Sequence, residues 1–477
     1  MQVVATAGHT GHGKSSLVHA LTGTTAAGPE AAGPDAAWAT LPSGRRVAFV
    51  DAPGDERSVP AVLAGLGTAS AVMVVVAADE GWLPRSAEHL SAIDALGLRA
   101  GLLVVTRADL AGPTPALRQA RAEIARTCLA GAESVVVSTR TGEGMSAAVA
   151  ALDRLAQRLP PSDPDESVRL WVDGVSAPAG DARFGDAPFG DATAGDAVVT
   201  GTLTAGTIRV GDELSRGDRA DRTVRVRAVR APGGDDERVS GVSRVALTLS
   251  GAAGLVPGTP LVAAGRWTYT TGVDVRHGFG AASGRLARQL ILHIGSAAVP
   301  VRLRPLGPDT ARLTLNTRLP LHVGDRALLR DPQRRVVAGV SVLDVRPPPL
   351  TRRGAAGERA RELAQWPDHP GGKQLLRRHG VLRRADLEVM GCAAPADALQ
   401  VGAGWVADPG HWESLRRRLI HELDRHAAAH PLTPGISLEA ARLRLGLPER
   451  GLVVRLVRPP LRLCGGRVYG APLDRRG

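Results

Sequence analysis

The sequence predicts a multidomain protein with an N-terminal α/β P-loop domain, two small β domains and C-terminal winged-helix modules. Three observations support this fold class. A Gly-rich loop lies between a strand and a helix near the N-terminus, and further strands alternate with helices after it. Short strands with Gly turns fill the middle of the chain, and helices with β-hairpins fill its end. At 477 residues the chain is also too long for a single hydrophobic core.

The charge of the chain is concentrated in its C-terminal part. Residues 351–477 contain 22 Lys and Arg against 13 Asp and Glu. The preceding residues are close to neutral, and the whole chain has a net charge of +12. A basic tail on a nearly neutral body predicts a polyanionic partner, most simply RNA. The alternative is a basic surface that is merely solvated.

Cysteine use and hydropathy exclude several protein classes. Cys128, Cys392 and Cys464 form no CxxC pair, which argues against a metal knuckle or a disulfide framework. The longest apolar run, residues 69–78, is too short to cross a membrane and reads as a buried strand. Motif residues begin almost at Met1, so no signal peptide is expected. We therefore expect a cytoplasmic protein without a membrane partner.

The strongest motif is the Gly-rich loop at residues 8–15, which reads Gly-His-Thr-Gly-His-Gly-Lys-Ser between a strand at 2–7 and a helix at 16–22. This is the G-x-x-x-x-G-K-S pattern, in which backbone N–H groups cradle phosphate oxygens, the Lys neutralises phosphate charge and the Ser hydroxyl binds Mg²⁺. The chain contains only two lysines, Lys14 and Lys373, so a Lys at this position is informative. The predicted phosphate-binding residues are Gly8, His9, Thr10, Gly11, His12, Gly13, Lys14, Ser15 and Ser16.

Three further strand ends carry candidate nucleotide-binding residues. The strand at 47–50 ends in Asp-Ala-Pro-Gly, whose carboxylate suits a Mg²⁺-linked role beside a phosphate-sensing loop. The strand at 101–105 ends in Thr-Arg-Ala-Asp, whose carboxylate can accept both N–H groups of a guanine edge. The alternation of strands and helices predicts a parallel, doubly wound sheet that brings these ends together. The candidates are Asp51, Gly54, Thr106, Arg107 and Asp109, with Ser138, Thr139 and Arg140 in the next loop.

The motifs GHTGHGKSSL, DAPG, TRAD and VST resemble, in order and spacing, the guanine-nucleotide motifs of the translational GTPases. The opening VVATAGHTGHGKSSLVHALTG, with EHLSAIDALGL and RTGEGM, resembles the selenocysteine-specific elongation factors (SelB) over residues 1–160. The resemblance implies a GTPase domain at 1–160 that binds GTP or GDP with Mg²⁺, the ion being held by Ser15 and Asp51.

The chain departs from the family at four places. It has Gly11 where the family has Asp, Arg107 where the family has Lys, and Asp55 where the family has the His that orients the attacking water. Residues 24–40 contain no Arg-Gly-Ile-Thr switch segment. Nucleotide binding is expected to survive these changes. Hydrolysis is left open, with Asp55 as the residue at the catalytic position, although a second anion near phosphates is electrostatically unfavourable.

The middle of the chain resembles the two barrel domains of translation factors, at residues 166–265 and 266–348. Four Gly-Asp-Ala units within 180–197 predict an expanded flexible loop rather than a calcium site. SelB-like factors have Asp-Arg beside the selenocysteine pocket, and here Asp173 is followed by Gly174. The candidates for contacting the aminoacyl end of tRNA are Asp173, Arg225 and Arg227. The alternative is a pair of barrels that do not contact tRNA.

The C-terminal part predicts two winged helices, at residues 351–408 and 409–477. Each segment contains helices followed by a β-hairpin with arginine-rich flanks. SelB-like factors append a series of such modules, the last of which grip an mRNA hairpin, and this chain has room for two. The alternative is a scaffold for protein contacts.

The sequence thus predicts a SelB-like GTPase that delivers charged tRNA, selenocysteinyl-tRNA by resemblance, to the ribosome as a monomer. A second hypothesis is a non-hydrolysing nucleotide- and RNA-binding paralogue, which Asp55, Gly11 and the missing switch segment favour. A third is a related GTPase outside translation, such as one that activates sulfate, against which the basic tail argues.

Overall fold

The computed structural model describes residues 1–23, 37–51, 65–161, 163–176, 196–231, 234–278, 287–331 and 337–470. The chain divides into two compact units, Met1–Gln365 and Trp366–Gly477. Two of the predicted site residues, Gly54 and Asp55, lie outside the described residues. So do residues 24–36 of the switch segment and nearly all of the Gly-Asp-Ala stretch.

The N-terminal domain is a doubly wound α/β domain, as predicted. Its strands are β1 (Gln2–Ala7), β2 (Trp38–Thr40), β3 (Arg46–Asp51), β4 (Ala71–Ala77), β5 (Gly101–Thr106) and β6 (Glu133–Val136). Its described helices are α1 (Lys14–Thr22), α2 (Pro84–Leu96), α3 (Thr114–Ile124) and α4 (Met145–Arg158). The sheet order is β2-β3-β1-β4-β5-β6, parallel except for the edge strand β2. Hydrophobic residues pack on both faces of the sheet, because helices cover both.

This strand order fixes the place of the site. The chain passes from β1 to β3 on one side of the sheet and continues at β4 on the other side, so β1 and β4 flank the switch point. In open α/β sheets, ligands bind at the carboxyl ends of the strands beside such a point. The Gly-rich loop leaves β1 there.

The second domain is a β-barrel. Its strands are β7 (Arg169–Ser176), β8 (Ala197–Leu203), β9 (Thr207–Arg209), β10 (Glu213–Arg216), β11 (Arg219–Ala231), β12 (Gly234–Asp236), β13 (Arg238–Ser240), β14 (Ser243–Ser250) and β15 (Pro260–Ala263). The main sheet has the order β10-β15-β7-β8-β14-β11-β12, and β10 also pairs with β11, which closes it. Alternate residues of these strands fill the interior.

The third domain is a closed barrel with the order β16-β19-β18-β17-β20-β21. Its strands are β16 (Thr268–His277), β17 (Gln289–Ile294), β18 (Ala297–Pro305), β19 (Thr310–Leu321), β20 (Arg326–Arg330) and β21 (Val337–Asp344). Strand β18 alternates buried and exposed residues along nearly its whole length, as expected of a barrel wall.

A buried ion network attaches the next helix, α5 (Ala355–Ala364), to this barrel. The Arg359 guanidinium donates to Asp274 at 2.7 Å and to Asp344 at 2.6 Å, and both carboxylates are fully buried. Arg312 donates to Asp274 as well. Helix α5 therefore lies in the first unit, which ends at Gln365, whereas the sequence assigned it to the first winged helix.

The second unit follows the predicted order of helices and hairpins. It contains α6 (Gly372–His379), β22 (Val381–Arg383), α7 (Arg384–Glu388), β23 (Leu399–Gly402), β24 (Trp405–Ala407), α8 (Pro409–Ala429), β25 (Ile436–Ser437), α9 (Leu438–Leu445), α10 (Arg450–Leu456), β26 (Arg462–Cys464) and β27 (Arg467–Tyr469). The strands form two small sheets, β22-β24-β23 and β25-β27-β26. The Ser437 side chain caps α9 by accepting the Ala440 N–H. The winged-helix assignment of these modules stays a prediction.

Among the described helices, none is both long and apolar enough to span a lipid bilayer.

The buried network predicts a large stability effect for one arginine. Replacing Arg359 with Met removes the positive charge that pairs with the buried Asp274 and Asp344 carboxylates. We expect the free energy of unfolding to fall by about 3–5 kcal/mol as a result. Urea denaturation measures it. The control is Arg352→Met, because Arg352 pairs with Glu358 at the surface and such a pair contributes about 0–1 kcal/mol. Equal effects of the two substitutions would contradict the network's role.

Candidate nucleotide-binding site

The Gly-rich loop is built as a phosphate cradle. Gly8 has a φ of 142°, and a Cβ at this residue would lie 2.2 Å from the Val75 carbonyl oxygen of β4. Gly13 has a φ of 80° and is the N-cap of α1. Only glycine fits both positions at low cost. The loop thus presses against the sheet and turns into the N-terminus of α1, whose first N–H groups favour an anion.

Lys14 lies across this loop. Its ammonium donates to the Gly8 carbonyl at 3.1 Å and to the His9 carbonyl at 2.8 Å, and the residue is buried. Thr10, Ser15 and Ser16 are exposed on the same loop and on the first turn of α1. The side chains that would meet phosphate and Mg²⁺ therefore face solvent, while the Lys14 charge is held at the loop.

Two buried histidines support the loop from the side of the sheet. The His12 Nδ1 lies 3.3 Å from the Val75 carbonyl oxygen and its Nε2 lies 3.7 Å from Glu80. The His89 Nδ1, on α2, accepts the Gly8 N–H at 3.0 Å. Burial, reinforced by the Lys14 charge, lowers the pKa of His89 to about 4, and burial lowers the pKa of His12 as well. Both imidazoles are therefore neutral near pH 7.

The loop after β5, which carries the predicted base-contacting residues, is hydrogen-bonded to the Gly-rich loop. The Thr106 hydroxyl donates to the His12 carbonyl at 2.7 Å. Arg107, which has a φ of 55°, donates to the Gly11 carbonyl and pairs with Asp79 at 2.9 Å and Glu80 at 2.7 Å. Arg107 thus bridges the two loops.

Asp109, the predicted base-contacting residue, is held in place by two hydrogen bonds. Its Oδ1 accepts the Ser138 hydroxyl at 2.6 Å and its Oδ2 accepts the Arg140 Nε at 2.7 Å. These two hydrogen bonds, that of Ser138 first, lower the pKa of Asp109, so the carboxylate stays ionised at neutral pH. Ser138 is fully buried, Thr139 is half-buried and Arg140 is exposed. A guanine base bound here would share the Asp109 Oδ2 acceptor with the exposed Arg140 side chain.

The sequence missed three residues of this site: Asp79, Glu80 and His89. The two acids follow the apolar run that forms β4, at the sheet edge where ligands bind, so their position was a usable signal. His89 stands on the apolar stripe of α2 with Ile93 and Leu96. A polar residue on such a stripe indicates a buried partner, which the sequence does not identify.

The residues present fit a nucleotide phosphate. The buried His9 Nδ1 has no hydrogen-bond partner within the described part of the chain, so it is available to a phosphate oxygen. For Mg²⁺, Ser15 lies on the first turn of α1 and Asp51 ends β3, although the Asp51 side chain is not described. The described residues contain no group of three or more His, Cys, Asp or Glu that would hold a metal by themselves. A Mg²⁺ ion here would need phosphate oxygens and water as further ligands.

The three residues predicted to contact the aminoacyl end of tRNA differ in their exposure and their partners. Asp173 on β7 pairs with Arg244 of β14, whose Nη2 lies 2.9 Å away, and accepts the Thr200 hydroxyl at 2.9 Å. Arg225 and Arg227 are exposed on β11, and Arg227 donates to Ser250 at 3.0 Å. Within the described residues Asp173 is therefore paired with Arg244, which the sequence pattern did not single out.

Comparison with known proteins agrees with this geometry. A family model described as the elongation factor Tu GTP binding domain matches residues 34–158. The selenocysteine-specific elongation factor of Escherichia coli is 31% identical over 392 residues, which are 76% of this chain and 58% of that protein. The Haemophilus influenzae factor is 29% identical over 74% of this chain and 56% of its own length. The crystal structure of a bacterial selenocysteine-specific elongation factor, EF-Sec, covers 98% of this chain and 80% of that one, with a TM-score of 0.79 and 20% identity.

The chain is similar to the SelB-like translational GTPases. Its N-terminal domain is a guanine-nucleotide-binding domain of the elongation factor type, and the two barrels that follow it are those of the same fold. The chain spans little more than half the length of the two curated relatives that it matches over most of its own sequence.

The geometry of Asp109 predicts how base specificity can be changed. The carboxylate would accept two N–H groups of guanine, whereas the Asn amide replaces one of these two acceptors with an NH₂ donor, which suits the extra carbonyl of xanthine. We expect Asp109→Asn to weaken GTP binding by about 100-fold while xanthosine triphosphate binds better than it does to the wild type. Fluorescent-nucleotide titration measures both affinities. Arg140→Ala is the control, because it removes one Asp109 partner and keeps the carboxylate. Unchanged GTP affinity in Asp109→Asn would rule out the assigned base contact.

Proposed function

We propose that the chain binds GTP with Mg²⁺ and carries a charged tRNA, selenocysteinyl-tRNA in particular, to the ribosome. The observation that carries this proposal is the combination in one unit of a formed phosphate loop, an ionised base-reading Asp109 and two β-barrels. Support also comes from relatives named selenocysteine-specific elongation factors, one of them 31% identical over 76% of this chain.

In the proposed complex the nucleotide is held by groups that are already in place. The α1 N-terminus and the loop N–H groups bind the phosphates, and Lys14 contributes the positive charge at their edge. Ser15 and Asp51 would hold Mg²⁺, which would neutralise phosphate charge. Asp109 and Ser138 select guanine.

The proposed aminoacyl-binding region is the barrel face around Asp173. The Asp173–Arg244 pair is about one-third exposed at the carboxylate and mostly buried at the guanidinium. An ordered Arg suits an anionic side chain such as an ionised selenol, and Arg244 supplies a positive charge beside Asp173. Arg225 and Arg227 offer further positive charge to the RNA backbone.

The proposed partner of the second unit is RNA, an mRNA hairpin by analogy with SelB-like factors. Exposed arginines lie on the last helix and on the last hairpin of the unit, where a winged helix contacts nucleic acid. They are Arg450, Arg455, Arg462 and Arg467.

A protection experiment tests the tRNA proposal. A factor that encloses the aminoacyl end slows spontaneous hydrolysis of the ester bond. We expect GTP-loaded protein to lengthen the half-life of selenocysteinyl-tRNA at least several-fold, with less protection by GDP-loaded protein and less for seryl-tRNA. Lys14→Ala is the control, because it removes the phosphate contact without touching the barrels.

Protection that is independent of nucleotide, or absent with every charged tRNA, would contradict the proposal. Single-turnover GTP hydrolysis then separates the two forms of the hypothesis. A slow rate that ribosomes raise supports a working factor, and a rate that ribosomes leave unchanged supports the non-hydrolysing paralogue. Asp55 is one reason to consider the non-hydrolysing paralogue, because this chain has a carboxylate at the position where the family has a His.

A further inference from the structure

One buried contact between α2 and the phosphate loop has no role in the proposed function. The His89 Nδ1 accepts the N–H of Gly8, the first glycine of the loop, at 3.0 Å. His89 is 6% exposed, and its helix packs its apolar residues against the sheet below the loop. Because Nδ1 accepts, the neutral imidazole carries its proton on Nε2.

Gly8 is the point at which the loop is most constrained. A side chain there would collide with the Val75 carbonyl, so the backbone lies as close to β4 as it can. The Gly8 N–H donates to His89, and the Gly8 carbonyl accepts the Lys14 ammonium at 3.1 Å. The position of Gly8 therefore links the imidazole on one side of the loop to the lysine on the other.

We propose that His89 is a positioning residue for nucleotide binding, which acts by holding Gly8 and, through it, Lys14. The proposal rests on the proposed function of the loop as a guanine-nucleotide site. His89 does not touch the nucleotide. Its effect is to fix the loop in its binding conformation before the nucleotide arrives, so that less ordering is needed on binding.

The surroundings of His89 keep its imidazole in the form that accepts. The charged or titratable groups acting on it are Lys14 and His9 of the loop and Arg85 of its own helix, and each disfavours a second positive charge. The protonated imidazole would donate from both nitrogens and would leave the Gly8 N–H without an acceptor. The site thus selects the neutral ring.

The test compares two substitutions at one position. His89→Leu removes the acceptor, and we expect the affinity for both GTP and GDP to fall about tenfold, since one buried hydrogen bond is lost. His89→Asn places an amide oxygen near the position of Nδ1, and we expect it to return the affinity to within about threefold of the wild type. The readout is titration with a fluorescent guanine nucleotide, with the melting temperature of each variant measured alongside.

The matched control is His293→Leu. His293 is another buried histidine whose burial lowers its pKa to about 4, but it lies on β17 in the third domain, where Arg330 contacts it at 3.4 Å. We expect this variant to bind nucleotide as the wild type does. The proposal is overturned if His89→Leu binds nucleotide normally, if His89→Asn is as weak as His89→Leu, or if His293→Leu is equally weak.

A second measurement needs no nucleotide. In the wild type the Gly8 amide is bonded to a buried acceptor, and we expect slow hydrogen exchange there, faster by about tenfold or more in His89→Leu and slow again in His89→Asn. If the wild-type protein binds no guanine nucleotide, the proposed function fails while this exchange pattern still supports or overturns the positioning of Gly8 by His89.

Discussion

The approach of Gly8 to strand β4 is the constraint on which the site depends. A Cβ at Gly8 would lie only 2.2 Å from the Val75 carbonyl oxygen, so no side chain fits, and the loop backbone rests directly on the sheet. This contact places the Lys14 ammonium at the loop carbonyls. It also brings the N-terminus of α1, with its first N–H groups, to the switch point of the sheet. The phosphate cradle is thus a consequence of sheet packing, not of the loop residues alone.

Helix α2 connects this site to the third domain. Its side chain His89 holds the loop, and its C-terminal carbonyl of Leu96 accepts from Arg326 of β20 at 3.0 Å. A cation at a helix C-terminus is favourable for the helix dipole as well as for the open carbonyl. Gly339 of β21 leaves room for the same helix, because a Cβ there would lie 1.9 Å from the Ala95 carbonyl. A single rigid element therefore contacts both the phosphate loop and a barrel.

The two barrels are joined by a compact cluster. Arg169 of β7 makes a bidentate pair with Asp325 of the third domain, both bonds measuring 2.7 Å, and its guanidinium lies 4.5 Å from the centre of the Trp267 ring. Trp267 stacks on His322 with a centroid distance of 3.6 Å. A largely buried bidentate pair over an aromatic ring fixes orientation better than a surface ion pair does. The surface that is proposed to meet tRNA is built on this joined pair of barrels.

The sequence predicted the features that depend on local pattern. The phosphate loop, the doubly wound sheet and the order of helices and hairpins in the C-terminal part each follow from spacing and turn residues. It did not predict contacts between residues far apart in the chain. His89 and Gly8 are separated by 81 positions, and Arg244 and Asp173 by 71, and no periodicity encodes such pairs. The placement of α5 on the third barrel was missed for the same reason, because Asp274, one of the partners of Arg359, lies 85 positions earlier on β16.

The central claim is that this chain presents a formed, guanine-selective nucleotide site. Isothermal titration of GTP, GDP and ATP into the purified chain with Mg²⁺ tests it most directly, with Lys14→Ala measured in parallel. We expect GTP and GDP to bind with one-to-one stoichiometry, ATP to bind at least about 100-fold more weakly, and Lys14→Ala to abolish binding. Equal affinities for GTP and ATP, or no binding of either by the wild type, would contradict the claim.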